Sequence, residues 1–203
     1  DYISKARELI GLGPSKRAKR KQSSAKSNID GNEADPGINE VEAAHVGQLA
    51  ATVIAHASER GITIGTAESL TGGLISAALT SVSGSSAVVR GGIASYATGV
   101  KTDVLDVPEH VIEEFGVVST QVARHMAQGA CNVAVAVTGI AGPSGAEPGK
   151  PVGTVCFACA SDNGITAQRK HFEGDRNQVR LQTVLEALRM LDAAVCGQQQ
   201  RSN

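Results

Sequence analysis

The pattern of apolar and polar positions changes character near residue 40. Residues 1–10 suit a short helical turn ended by Gly11, Gly13 and Pro14, while 16–27 is basic and Ser-rich and 29–37 is polar. Such a stretch buries too little surface to offset its ordering entropy, so 1–37 is expected to be a disordered extension. From Glu40, a stripe of Val41, Ala44, Leu49, Val53, Ile54 and Ala57 predicts a helix ended by Gly61. Residues 62–67 read as a short buried strand, followed by a turn over 68–73 and a helix through Leu79. Residues 87–97 form the next strand, where Gly91-Gly92 marks a bulge or a close backbone approach. One or two helical turns follow over 101–105. Pro108 then opens a helix with Val111, Ile112 and Phe115 inward and Gly116 as its stop. Ser119 or Thr120 caps a helix to about Ala130, and 133–137 is a fully apolar strand. Strands at 152–160 and 165–172 join across Asp162-Asn163-Gly164, a hairpin signal. Asp175 caps a last helix with Val179, Val184, Leu185, Leu188, Leu191 and Ala194 inward. The alternation predicts an α/β domain over 38–196, a three-layer α/β/α sandwich on a mixed sheet, with a flexible tail at 197–203.

Composition sharpens this picture. The 203 residues suit one domain, and with two Tyr, three Phe and no Trp the core must be close-packed Ala, Val, Leu and Ile. Of 19 basic and 20 acidic residues, eight and two lie in 1–27, leaving 11 and 18 in the remainder, a net of −7. An acidic body argues against a nucleic-acid-binding domain, although the basic tail alone could touch phosphate or serve as a targeting segment. No apolar run approaches bilayer length, which excludes a membrane-spanning helix. Four cysteines are too few for a disulfide scaffold and point to a reducing, cytoplasmic compartment.

Several chemical signals fail. Residues 145–150 look like a P-loop but lack its Gly at 144 and Ser/Thr at 151. Ser23 to Lys26 matches S-x-x-K by chance within the tail. Cys156 and Cys159 have redox spacing, yet on a strand they point to opposite faces. The five histidines show no ligand spacing, so no zinc site is expected. Glycine-rich turns remain at strand ends, the usual ligand edge of an open α/β sheet. The amides of Thr71, Gly72 and Gly73, at a helix start, could hold an anion, and Thr138, Gly139 and Gly142 could bring backbone amides against a ligand. Residues 83–101 add a hydroxyl cluster, Tyr96 and Lys101. A straight strand from Ser86 to Tyr96 would span ~30 Å, so a Ser86–Lys101 pair needs a bulge or the chain turning back.

Blocks along the chain resemble the CinA C-terminal domain family, which includes stand-alone nicotinamide mononucleotide (NMN) deamidases. They are Ala67-Glu68-Ser69-Leu70-Thr71-Gly72-Gly73, Gly84-Ser85-Ser86, 92–96 with Lys101, Gly116-Val117-Val118-Ser119, 137–143, 148–155, and Phe172 with Gly174-Asp175-Arg176. The likeness covers about 40–195; Leu70 replaces a usual small residue, and 97–100 departs from the common turn. The resemblance implies an amidohydrolase that converts NMN to nicotinate mononucleotide and ammonia, with no metal or cofactor, as a homodimer. It assigns Ser86 as nucleophile, Lys101 as general base and Tyr96 as a hydrogen-bonding aide. The lysine must then drop roughly three units from ~10.4 to act near neutral pH, which an apolar pocket can supply. Amides near Ser85-Ser86 or in 138–142 would stabilise the oxyanion. Arg176 and the Thr71–Gly73 amides would take the phosphate, with Lys150 a weaker candidate, and Glu68 either orients the Thr71 loop or is a plain capping carboxylate. The alternative is a non-catalytic nucleotide-binding module of the same family, with nucleic-acid contact confined to the basic tail.

Overall fold

The computed structural model describes residues 40–131 and 133–198. The 1–37 extension and residues 199–203 of the tail lie outside the described residues. In chain order the elements are helix α1 (Glu40–Arg60), strand β1 (Ile64–Glu68), helix α2 (Leu74–Thr80), a 3-10 turn (Ser85–Ala87) and strand β2 (Val89–Ala94). Helices α3 (Thr98–Asp103), α4 (Glu109–Phe115) and α5 (Thr120–Ala130) follow, then strands β3 (Val133–Gly139), β4 (Thr154–Ser161) and β5 (Gly164–His171), and helix α6 (Arg176–Gly197). The strands form one sheet in the order β2-β1-β3-β4-β5. β1 runs parallel to β2 and β3, while β3-β4-β5 is antiparallel, so the sheet is mixed as the sequence predicts.

Alternation within β3 and β4 separates two cores. Val133, Val135, Val137, Val155, Phe157 and Cys159 face α1, α2 and α6, where they meet Val53, Ile75, Leu79, Val184 and Leu188. Ala134, Ala136, Cys156, Ala158 and Ala160 face the other way, toward Val122, Ala123 and Met126 of α5. Small side chains on that face let α5 come close, and a Cβ on its Gly129 would stand 2.1 Å from the Leu105 carbonyl oxygen. The two layers of helices and the sheet between them make an α/β/α sandwich. Cys156 and Cys159 do fall on opposite faces.

Two details differ from expectation. Val41 is 80 % exposed and Ala44 is also exposed; the buried stripe of α1 starts at Val46. A 21-residue helix is ~31 Å long, whereas the five residues of β1 span ~17 Å, so its first turns find no sheet beneath them. Phe115, expected inward, is partly exposed at the last position of α4. The glycine pair in β2 serves both suggested uses. The β1–β2 register slips where Ile64 pairs with Val89 but Gly65 with Gly91, and Gly91 has φ +147. A Cβ on Gly92 would stand 1.9 Å from Ser76 Oγ. Among the described residues, no helix is long and apolar enough to cross a membrane.

Candidate functional site

The carboxyl end of β1 is organised by Glu68, which is fully buried. Its Oε2 accepts from Thr71 Oγ1 at 2.7 Å and from the amides of Gly73 and Ile75, each at 3.0 Å. Its Oε1 accepts from the Ser76 amide at 2.8 Å, Ser76 Oγ at 2.7 Å and Thr66 Oγ1 at 3.1 Å. A carboxylate held by this many donors caps the start of α2 and fixes the 69–73 loop. This corrects the anion role expected for the amides of Gly72 and Gly73. The Gly73 amide already serves Glu68, and the Gly72 amide donates to the Ser69 carbonyl at 3.1 Å. The Thr71 hydroxyl is likewise committed to Glu68. By contrast, the amides of Leu70 and Thr71 donate to no acceptor among the described residues.

Lys101, on α3, is fully buried. Its Nζ lies 3.0 Å from Ser69 Oγ, contacts the Ser95 carbonyl, and sits 3.5 Å from the Tyr96 carbonyl. Each of these partners is a neutral oxygen. Burial without a countercharge brings the Lys101 pKa down from 10.5 to about 8. As an ammonium, Nζ donates to Ser69 Oγ; in the neutral amine, two N–H groups suffice for the two carbonyls, which leaves the lone pair to accept from the Ser69 hydroxyl. This arrangement can take a proton from that hydroxyl. Ser95 is itself tied to β1, its amide 2.7 Å and its hydroxyl 3.3 Å from the Glu68 carbonyl.

The structure does not bring Ser86 to Lys101, which corrects the pairing expected from the sequence. Ser86 is exposed in the 3-10 turn that precedes β2, and the Ile64 amide at the start of β1 bonds the Val88 carbonyl. Lys101 follows the other end of β2, whose six residues span ~20 Å. The serine that meets the lysine is Ser69, immediately after β1. Strand polarity was the missed signal. β1 and β2 are parallel, so residues that follow each strand gather at one edge, and a residue that precedes β2 lies at the opposite one.

The remaining predicted residues divide. Tyr96 is 64 % exposed; its hydroxyl accepts from Arg176 Nη2 at 3.3 Å while its carbonyl faces Lys101. Arg176 opens α6, where Asp175 and Gln178 form a capping box, and its Nη1 donates to the Gly142 carbonyl at 2.8 Å. Gly142 takes φ +84, a conformation that favours glycine. Arg180, one turn further along α6 and missed from the sequence, donates to the carbonyls of Leu70 and Thr71, each at 3.1 Å. Arg176, Tyr96 and the 142 turn are thereby linked, and Arg180 joins α6 to the Ser69 loop. Thr138 and Gly139 take part in holding the frame. The Thr138 hydroxyl donates to the Val117 carbonyl at 3.0 Å, and a Cβ on Gly139 would stand 2.8 Å from the Thr154 oxygen. Lys150 donates to the Phe115 carbonyl and pairs with Glu147.

A mixed-sheet α/β/α domain with a buried serine–lysine contact at its carboxyl edge defines the class of this protein. The CinA C-terminal domain model matches residues 46–195, so the chain belongs to that family. A CinA-like protein of Geotalea uraniireducens is 44 % identical over 164 residues, which is 78 % of this chain and 39 % of that protein. A putative competence-damage inducible protein of Symbiobacterium thermophilum is 44 % identical over 154 residues, 69 % of this chain and 36 % of that protein. The chain thus spans somewhat over a third of the length of these curated relatives. The crystal structure of a competence/damage inducible protein from Agrobacterium tumefaciens superposes with TM-score 0.71 at 43 % identity, covering 74 % of this chain and 95 % of that one. A CinA superfamily protein from Klebsiella pneumoniae gives TM-score 0.72 at 32 % identity, covering 75 % and 99 %.

Proposed function

We propose that the chain is an amidohydrolase that converts NMN to nicotinate mononucleotide and ammonia, with Ser69 as nucleophile and Lys101 as general base. The observation that carries this reading is the Ser69–Lys101 contact, in which a buried lysine with pKa lowered to about 8 meets a hydroxyl. NMN as the substrate comes from the family resemblance. In the first step Ser69 Oγ attacks the carboxamide carbon and its proton passes to Lys101 Nζ. The tetrahedral oxyanion is placed against the amides of Leu70 and Thr71, donors adjacent to the nucleophile. As the C–N bond breaks, Lys101 returns the proton to the leaving ammonia and an acyl ester remains on Ser69. Water then attacks that ester, again losing its proton to Lys101, and Ser69 Oγ leaves and is reprotonated. Arg176 and the Tyr96 hydroxyl form the phosphate end of the site, and Arg180 holds the Ser69 loop by its carbonyls. The protein works in the cytoplasm, in keeping with its four free cysteines, and as a homodimer.

The test is to incubate purified protein with NMN and follow ammonia and nicotinate mononucleotide together. Equal release of both is expected. Calorimetric binding of NMN without turnover would instead make the chain a binding module.

A further inference from the structure

Away from Ser69, helices α1 and α6 bring three unlike donor atoms together. His56 Nδ1 lies 2.7 Å from Asp192 Oδ1 and 3.3 Å from Cys196 Sγ, and that sulfur is 4.0 Å from the same carboxylate oxygen. Asp192 and Cys196, four positions apart on α6, share a face, and His56 approaches them from α1. His56 and Asp192 are partly buried and Cys196 is exposed, so the cluster is reachable from solvent. No ligand spacing marks it in the sequence, because 136 and 140 positions separate His56 from its two neighbours. Along α6, Asp192 is sixteen residues from Arg176, or ~24 Å, which sets the cluster apart from the candidate active site.

The geometry argues against a catalytic triad. A histidine that relays protons between a carboxylate and a thiol uses one ring nitrogen for each. Here the carboxylate, in a direct hydrogen bond, and the sulfur approach the same nitrogen, and the three donor atoms lie within 4.8 Å of one another, near enough to converge on one ion. The set of one thiol, one imidazole and one carboxylate belongs to zinc chemistry, whereas calcium and magnesium take oxygen alone.

We propose that His56, Asp192 and Cys196 form a binding site for a borderline-soft divalent cation, Zn²⁺ or its analogue Co²⁺, with water as fourth ligand. Binding releases the thiol proton to solvent and breaks the His56–Asp192 hydrogen bond, the imidazole proton moving from Nδ1 to Nε2 by exchange with solvent so that the Nδ1 lone pair faces the ion. Thiolate and carboxylate together neutralise the two positive charges. The ion ties α1 to α6, two helices on one face of the sheet, and so acts on stability rather than turnover.

The test uses the full chain without a histidine tag, reduced, freed of metal with EDTA, and titrated with Co²⁺ and then Zn²⁺. One Co²⁺ per chain is expected, with a near-ultraviolet thiolate charge-transfer band and the intense visible bands of four-coordinate cobalt, all bleached by Zn²⁺. Zn²⁺ also raises the melting temperature. Cys196→Ser should lose the charge-transfer band, and His56→Ala and Asp192→Asn should weaken Zn²⁺ binding at least about tenfold. Melts in EDTA establish that each variant is folded, and Cys196→Ser, at an exposed position, is the decisive one. Absence of the band in the wild type, its persistence in Cys196→Ser, or an equal Zn²⁺ shift in every variant overturns the proposal and leaves the trio as a polar clasp between helices.

Discussion

Lys101 Nζ stands 3.0 Å from Ser69 Oγ, although the two residues are 32 positions apart. Parallel strands β1 and β2 make the contact: Ser69 follows one, and Lys101 sits on the short helix that follows the other. The lysine has hydrogen-bond partners in both protonation states, and burial shifts the balance toward the neutral one, with a pKa lowered to about 8.

The rate should therefore depend on pH through Lys101. With its pKa lowered to about 8, kcat/KM is expected to rise about tenfold per pH unit below that value and to level off above it. A profile over neutral to alkaline pH, with ammonia release as the readout, checks this. A flat profile would remove Lys101 as the base.

The same shift has a consequence for stability. Between the folded pKa of about 8 and the unfolded value of 10.5, the unfolded chain holds a proton that the native protein has shed. Native stability contributed by this group therefore increases as pH rises through that window, and the cost of burying the ammonium is fully present below it. Relative to Lys101→Met, which has no such proton, the wild type should gain about 2–3 kcal/mol between about pH 7 and about pH 10. Denaturant melts of both proteins at the two ends of that range measure the difference.

Glu68→Gln should destabilise the domain by about 3 kcal/mol, because a buried amide nitrogen would replace one of the oxygens that now accept backbone N–H groups. Activity should fall with it, since the Ser69 loop loses its anchor. Thermal denaturation together with the amidase assay reads both effects.

Arg176→Ala should raise KM for NMN far more than KM for the unphosphorylated nicotinamide riboside, with a smaller change in kcat. Equal effects on the two substrates would move the phosphate site elsewhere.

Much of this fold was legible in the chain. The apolar runs at 133–137 and 152–160 are buried on both faces in β3 and β4, and such strands can only be central. Asp162-Asn163 turns the hairpin, and Asp175 caps α6 as expected. The site was legible by region and less so by residue. The family resemblance assigned the nucleophile to Ser86, within the hydroxyl cluster at 83–86, while the polarity of β2 puts that turn at the far edge of the sheet. From the sequence, Glu68 could equally orient the Thr71 loop or be a plain solvated or capping carboxylate. Its six donors lie within residues 66–76, but only the close packing of β1 against the start of α2 aims them at one carboxylate. Arg180 lies one helical turn beyond Arg176, and nothing local distinguishes it from a solvent-facing arginine. His56, Asp192 and Cys196 are joined only by the pairing of α1 with α6.

The most direct measurement compares kcat/KM for NMN deamidation in Ser69→Ala and Ser86→Ala beside the wild type. Ser69→Ala is expected to lose at least about a thousandfold, as removal of a nucleophile does, and Ser86→Ala to stay within a few-fold of the wild type. A dead Ser86→Ala beside an active Ser69→Ala would contradict the account.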